Sequence, residues 1–99
     1  MKSKTIRVVA RLAAKPDRIE ETLHALKALI EPTRAEDGCI LYELTQNNDD
    51  PTDFTFVEEW TTDAALDTHL ESDHIRKLQS VADDLLAAPP DVRRYTFLA

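Results

Sequence analysis

The chain has 99 residues, fewer than the ~150 typical of one domain, which excludes a doubly wound nucleotide-binding fold, a barrel enzyme and any two-domain cleft. Apolar residues make up 42% and charged residues 31%, the balance of a soluble globular chain rather than a disordered or fibrous one. Nineteen acidic residues against 12 basic ones leave a net charge of −7, a surface that repels phosphate backbones and anionic headgroups, so neither nucleic acid nor membrane is expected as a partner.

A chain this short buries only about two-thirds of its unfolded surface, so a second copy is an expected source of core. The single cysteine, Cys39, can form no internal disulfide and no cysteine-rich metal centre. Met1-Lys2-Ser3-Lys4 runs into a strand-like segment without an apolar signal core, and no stretch nears the ~20 apolar residues of a membrane span. The expected location is the cytoplasm.

Residues 5–12 alternate with period two, Ile6, Val8, Ala10 and Leu12 facing one way and Arg7, Val9 and Arg11 the other, which predicts a strand. Pro16 suits a first helical turn, and Asp17 and Glu20 complement its positive end. Ile19, Leu23, Leu26 and Ile30 then form one apolar stripe on a helix that Pro32 is expected to kink or end. His24 falls on the polar face. Gly38, the only glycine, marks a turn that a side chain would obstruct. Residues 39–46 read as a second strand with Ile40, Tyr42 and Leu44 on one face. The Asn47–Pro51 cluster reads as a turn, and residues 54–60 as a third strand with Phe56, Glu58 and Trp60 aligned.

Thr62 or Asp63 caps a helix carrying Ala65, Leu66, His69 and Leu70. Ser72 or Asp73 caps the next, with Ile75, Leu78, Ala82 and Leu85 in register. Pro89-Pro90 stops it, and residues 94–98 supply a last strand. The order is the ferredoxin-like βαββαβ pattern, an α+β fold with a four-stranded antiparallel sheet and helices on one face, residues 1–99 forming a single domain. The uncovered face, with Val9 and Val57, calls for a partner.

Several segments, in order and spacing, resemble the antibiotic-biosynthesis monooxygenase domain and its quinol-monooxygenase-like members, from Ile6 to Leu98. They are Glu31-Pro32-Thr33-Arg34, Glu36-Asp37-Gly38-Cys39, Tyr42-Glu43-Leu44, Asp50-Pro51, and Phe54 with Glu58 and Trp60. Ala65-Leu66-Asp67-Thr68-His69, Ser72-Asp73-His74, Pro89-Pro90 and Arg94-Tyr95 complete the resemblance. It implies a homodimer whose sheets pack into a dimeric α/β barrel, and oxidation of a phenolic or hydroquinone substrate by O₂ with no metal, flavin or haem. The family's haem-degrading branch needs an asparagine on the first strand, and residues 5–13 contain none. Where that branch has a helical tryptophan and histidine, this chain has His69 and Gln79.

Oxygenation without a cofactor requires that the substrate become an electron-rich anion, so a base must take a phenolic proton in a pocket that excludes water. Histidine, with an ordinary pKa of ~6.5, suits that task. His69 is the expected base, competing with the reading of a half-buried helix histidine. Tyr42 and Glu58 are expected to orient the substrate, Trp60 and Phe56 to wall its ring, and His74 to contact it. Trp60 and Tyr42 serve equally as ordinary core. Glu58, a carboxylate on an apolar face, needs a partner or a role: His69, or a salt bridge to Arg7 or Arg94. Arg7 and Arg11 are otherwise expected to pair across the dimer interface.

His69 and His74 lie five residues apart, which is wrong for one helix face, so no metal is expected. Cys39 reads as a small buried hydrophobe. With no glycine-rich phosphate loop, no cofactor is expected either. The expected partners are a small aromatic or quinone-like substrate, O₂ and a second copy. A non-catalytic small-molecule-binding module, or an isomerase of a small hydroxylated metabolite, are the alternatives. Catalysis requires that Leu66, Leu70 and Leu78 leave space between helices and sheet.

Overall fold

A computed structural model describes residues 4–99. Its elements are β1 (Ile6–Ala13), α1 (Ile19–Lys27), α2 (Ile30–Arg34), β2 (Cys39–Asn47), β3 (Asp50–Trp60), α3 (Asp63–Leu70), α4 (Asp73–Leu85) and β4 (Asp91–Tyr95). The strands form one antiparallel sheet in the order β2-β3-β1-β4, the ferredoxin-like arrangement. Its inner face carries Val8, Ala10, Leu12, Tyr42, Phe54, Phe56 and Trp60, which pack with Leu26 and Leu29 and with Leu66, Ile75, Leu78 and Leu85 of the helices. Among the described residues no helix is long and apolar enough to cross a membrane.

Local chemistry explains where the helices over the site begin. The Thr62 hydroxyl accepts the Ala65 amide at 3.0 Å and starts α3. The Ser72 hydroxyl accepts the Ile75 amide at 3.4 Å and starts α4, while donating to the His69 carbonyl at 2.7 Å. One serine thus closes α3 and opens α4, satisfying groups that each helix end would leave unpaired.

Several boundaries differ from expectation. The first helix divides: α1 ends at Lys27, and Pro32 lies inside α2 rather than ending the run. At the third position of a new helix the proline nitrogen faces no intrahelical acceptor, so nothing is lost. The turn between β2 and β3 shrinks to Asn48-Asp49, because Asn47 pairs with Asp50 across the hairpin and the Asn47 side chain accepts the Asp49 amide at 2.8 Å. Helix α4 ends at Leu85, before the prolines, where Leu86 bridges to Ala14. The last strand begins at Asp91 and ends at Tyr95, three residues earlier at each end than read from the sequence, because Arg7–Arg11 of β1 pair with it there.

Ile40 leaves the face of Tyr42 and Leu44. A register shift between Cys39 and Leu41 turns it outward, 51% exposed, as an unpaired residue in a bulge requires. Arg7 and Arg11 pair within the chain, to Glu59 at 3.5 Å and Asp53 at 3.1 Å. Cross-strand register explains this, since Arg7 lies opposite Glu59 and Arg11 opposite Thr55, two residues from Asp53.

Candidate functional site

Between the helices and the inner face of the sheet lies a cavity of about 240 Å³. Leu66, Leu70 and Leu78 line it without filling it, together with Phe56, Glu58 and His69. Its wall is otherwise almost wholly apolar, which is the character of a pocket for a small ring.

His69 comes from α3 and is 2% exposed. Its Nδ1 lies 2.7 Å from Glu36 Oε2, and the same oxygen lies 2.7 Å from His74 Nε2. An ionised carboxylate only accepts hydrogen bonds, so both nitrogens donate to it. His69 is thereby held in the tautomer whose Nε2 keeps its lone pair, on a residue that lines the cavity. Burial pushes the imidazole below its ordinary pKa, the Glu36 hydrogen bond and charge oppose that, and His74 adds to the lowering. His69 is therefore a neutral base at neutral pH.

The aromatic residues buttress this ring. Trp60 lies against His69 with centroids 4.7 Å apart, Tyr42 meets it edge-on at 5.5 Å, and Tyr42 stacks on Phe56 at 4.6 Å. Burial raises the Tyr42 phenol well above its ordinary value, so it stays neutral. Trp60 Nε1 donates to Glu58 Oε1 at 2.8 Å.

Of the residues singled out from the sequence, Phe56, Glu58 and His69 line the cavity. Tyr42 and Trp60 stand behind them, packed on the His69 ring. His74, expected to contact substrate, does not line the cavity: its ring lies 5.9 Å from that of His69 and its Nε2 meets the same Glu36 oxygen. Glu58 meets neither His69, Arg7 nor Arg94: its partner is the Trp60 indole, and Arg94 is held by Asp63 and Asp67 at 2.8 and 2.7 Å. Cys39 is partly buried, and its thiol is pushed up first by burial and then by the charge of Glu36, which argues against a nucleophile.

Glu36 is the residue that sequence reasoning missed. Five residues is the wrong spacing for two histidines on one helix, yet the Ser72 junction puts His69 and His74 on different helices, and both reach one oxygen. The three side chains hold their ligand atoms within 4.8 Å of one another. The two contacts of 2.7 Å are hydrogen-bond lengths, shorter than the ~3.3 Å between ligand atoms around tetrahedral zinc with bonds of ~2.0–2.2 Å. As it stands the cluster is a carboxylate bridging two imidazoles.

The model for the family described as antibiotic biosynthesis monooxygenase matches residues 5–81. An uncharacterised protein of Synechocystis is 34% identical over 88 residues, 89% of this chain and 60% of its own length, so the chain spans somewhat less than two-thirds of that relative. YcnE of Bacillus subtilis, whose name marks it as a candidate monooxygenase, is 33% identical over 85 residues, covering 86% of this chain and 90% of its own. The crystal structure of PA3566 from Pseudomonas aeruginosa superposes with a TM-score of 0.93 at 31% identity, covering 100% of this chain and 99% of that one.

Proposed function

The chain belongs to the antibiotic biosynthesis monooxygenase family, and from that premise we propose that it is a cofactor-independent oxygenase of a small aromatic diol or quinol. The observation that carries the reading is His69: a neutral imidazole in an apolar cavity, its Nδ1 held by Glu36 and its Nε2 left basic. The cavity volume suits the substrate class, since an engineered cavity of ~150 Å³ holds benzene and about 240 Å³ admits a substituted ring.

His69 Nε2 takes a hydroxyl proton, leaving a ring anion rich enough to pass electrons to O₂. One oxygen atom enters the ring at a C–H carbon and the other leaves as water. The substrate supplies all four electrons as the diol becomes a hydroxylated dione. The imidazolium returns its proton to the departing oxygen, and Glu36 stabilises it meanwhile. Tyr42, Trp60 and Phe56 fix the plane in which the His69 ring and the substrate ring meet.

The same reading takes the active form to be a cytoplasmic homodimer, joined through the sheet face away from the helices. Val57, Tyr95 and Phe97 are exposed there at 37%, 47% and 53%, an apolar set that supports a second copy. Light scattering at micromolar concentration tests it, and a monomeric mass contradicts it.

The deciding experiment is O₂ uptake by metal-stripped protein across a panel of hydroquinones, beside an autoxidation control. Uptake above the control is expected to fall about 100-fold or more in His69→Ala, the scale of a lost general base. Uptake that survives the substitution removes His69 from the mechanism. A product of unchanged elemental composition, formed without O₂, assigns an isomerase instead.

A further inference from the structure

Of the residues lining the cavity, Glu58 alone carries a carboxyl group. Strand β3 sets it between Phe56 and Trp60 on the inner face, opposite Val8 of β1 and Tyr42 of β2, and leaves it 4% exposed. Its Oε1 accepts the Trp60 indole, and among the described residues no hydrogen bond or ion pair reaches Oε2. The cations that could neutralise it are engaged elsewhere. Arg7 pairs with Glu59, Arg94 with Asp63 and Asp67, and Arg34 donates to the Tyr42 carbonyl at 2.9 Å.

The titratable groups around Glu58 bring no positive charge. They are Glu36 from the loop before β2, Cys39 and Tyr42 from β2, and His69 from α3. Tyr42 and His69 are both held neutral. A buried carboxylate without a cation carries a large desolvation cost. Burial accordingly pushes the Glu58 carboxyl up and the Glu36 charge adds to that, against the opposing pull of the indole.

We propose that Glu58 stands in the cavity as a neutral carboxylic acid, its Oε1 held by Trp60 and its O–H donated to an oxygen of the bound molecule. The ligand is then a small ring with a hydroxyl for His69 and a second oxygen, as hydroxyl or carbonyl, for Glu58. A ring bearing a carboxylate or phosphate there would bring an uncompensated charge into an apolar wall. When His69 takes the hydroxyl proton, conjugation spreads the negative charge onto the second oxygen where that oxygen is a carbonyl, and onto the ring carbons, not the oxygen, where it is a hydroxyl. In both cases the Glu58 O–H donates to the oxygen beside the charge. An ionised glutamate would repel that charge. No bond to Glu58 forms or breaks; its proton stays in place through the reaction.

This rests on the cavity being the substrate site, and the test is built to fail separately from the oxygenase reading. Trp60 is the only tryptophan, so a single indole N–H resonance reports on Glu58 without any substrate. As pH rises, that resonance is expected to shift in one step displaced above the ordinary glutamate value, and the step is expected to vanish in Glu58→Gln. The infrared difference spectrum between the two proteins at neutral pH should contain the C=O stretch of a protonated carboxyl. A step at the ordinary glutamate value of ~4.3, with no such band, overturns the proposal. The wild-type titration decides alone if the variant does not fold.

Binding is then read under argon by quenching of Trp60 fluorescence. 1,4-Dihydroxynaphthalene is expected to bind about fivefold more tightly than 1-naphthol, the scale of one net hydrogen bond. Glu58→Gln, still a neutral donor, should keep that advantage and Glu58→Leu should lose it. Loss in Glu58→Gln overturns the neutral-donor role. If these results hold while no hydroquinone drives O₂ uptake, the oxygenase reading falls and the Glu58 assignment remains.

Discussion

Replacing Gly38 by alanine tests how the site is held together. Gly38 has φ +87°, and a Cβ there would meet the Ala65 Cβ at 2.6 Å and the Thr61 hydroxyl at 2.7 Å. The left-handed backbone costs an L-residue ~1–2 kcal/mol. The carbon contact lies about 1 Å inside the optimum of ~3.5–4.0 Å, and relieving such overpacking costs ~1–3 kcal/mol. The total is ~2–5 kcal/mol out of the ~5–15 kcal/mol that a domain of this size commands. At ~4–8 °C per kcal/mol, Tm should fall by roughly 10 °C or more.

Urea and thermal unfolding, followed by circular dichroism and Trp60 fluorescence, measure the loss. Ala65→Gly in the same chain removes the 2.6 Å contact but neither the φ strain nor the clash with Thr61, so a double-mutant cycle should return a coupling of ~1–2 kcal/mol. A loss below ~0.5 kcal/mol for Gly38→Ala, or no coupling to Ala65, would refute the reasoning. The effect reaches the site because Glu36 is two residues before Gly38 and His69 one helical turn after Ala65. A shift of α3 away from the loop before β2 to relieve the clash is expected to lengthen the 2.7 Å pair.

Four other outcomes follow from the same geometry. His69 is held below its ordinary value by burial, so below pH ~6.5 the unfolded chain binds more protons than the folded one. Its contribution to stability is therefore lost as pH falls from there, His69→Gln should flatten that slope in urea titrations, and an unchanged slope contradicts the assignment. Glu58 acts in the opposite sense: its raised carboxyl contributes stability that is present below pH ~4.3 and lost as pH rises, so Glu58→Gln should gain on wild type toward alkaline pH. Trp60→Phe leaves Glu58 Oε1 without its donor, an expected loss of ~1–3 kcal/mol before any packing defect; it must be followed by circular dichroism, and a neutral result would dissolve the pairing. Leu78→Ala, at the cavity wall, should cost ~2–3 kcal/mol, the lower part of the usual ~2–5 range because the site already borders open space, and should loosen rather than abolish binding of a small ring.

Much of the fold is legible along the chain because the forces that set it are local. Period-two alternation from Ile6 to Leu12, the stripe from Ile19 to Ile30, and the capping hydroxyls of Thr62 and Ser72 each involve residues within a few positions of one another. The antiparallel hairpin and the order of elements follow from them. Pairing partners are another matter. The bulge at Ile40 and the early start of β4 arise from register with β3 and β1, which neighbouring residues do not encode.

The site divides the same way. His69, Glu58, Phe56, Trp60 and Tyr42 can be named from residue chemistry and strand face, because side-chain direction follows from local periodicity. Glu36 cannot. It is 33 residues from His69 and 38 from His74, and only the closure of the β2 loop onto the α3–α4 junction puts one oxygen between the two imidazoles. The sequence by itself determined which groups were available for proton chemistry and which faces they occupy. Tertiary structure decided which of them meet, which nitrogen of His69 keeps its lone pair, and that Glu58 lacks a cation. Those depend on distances set by long-range packing, to which periodicity is blind.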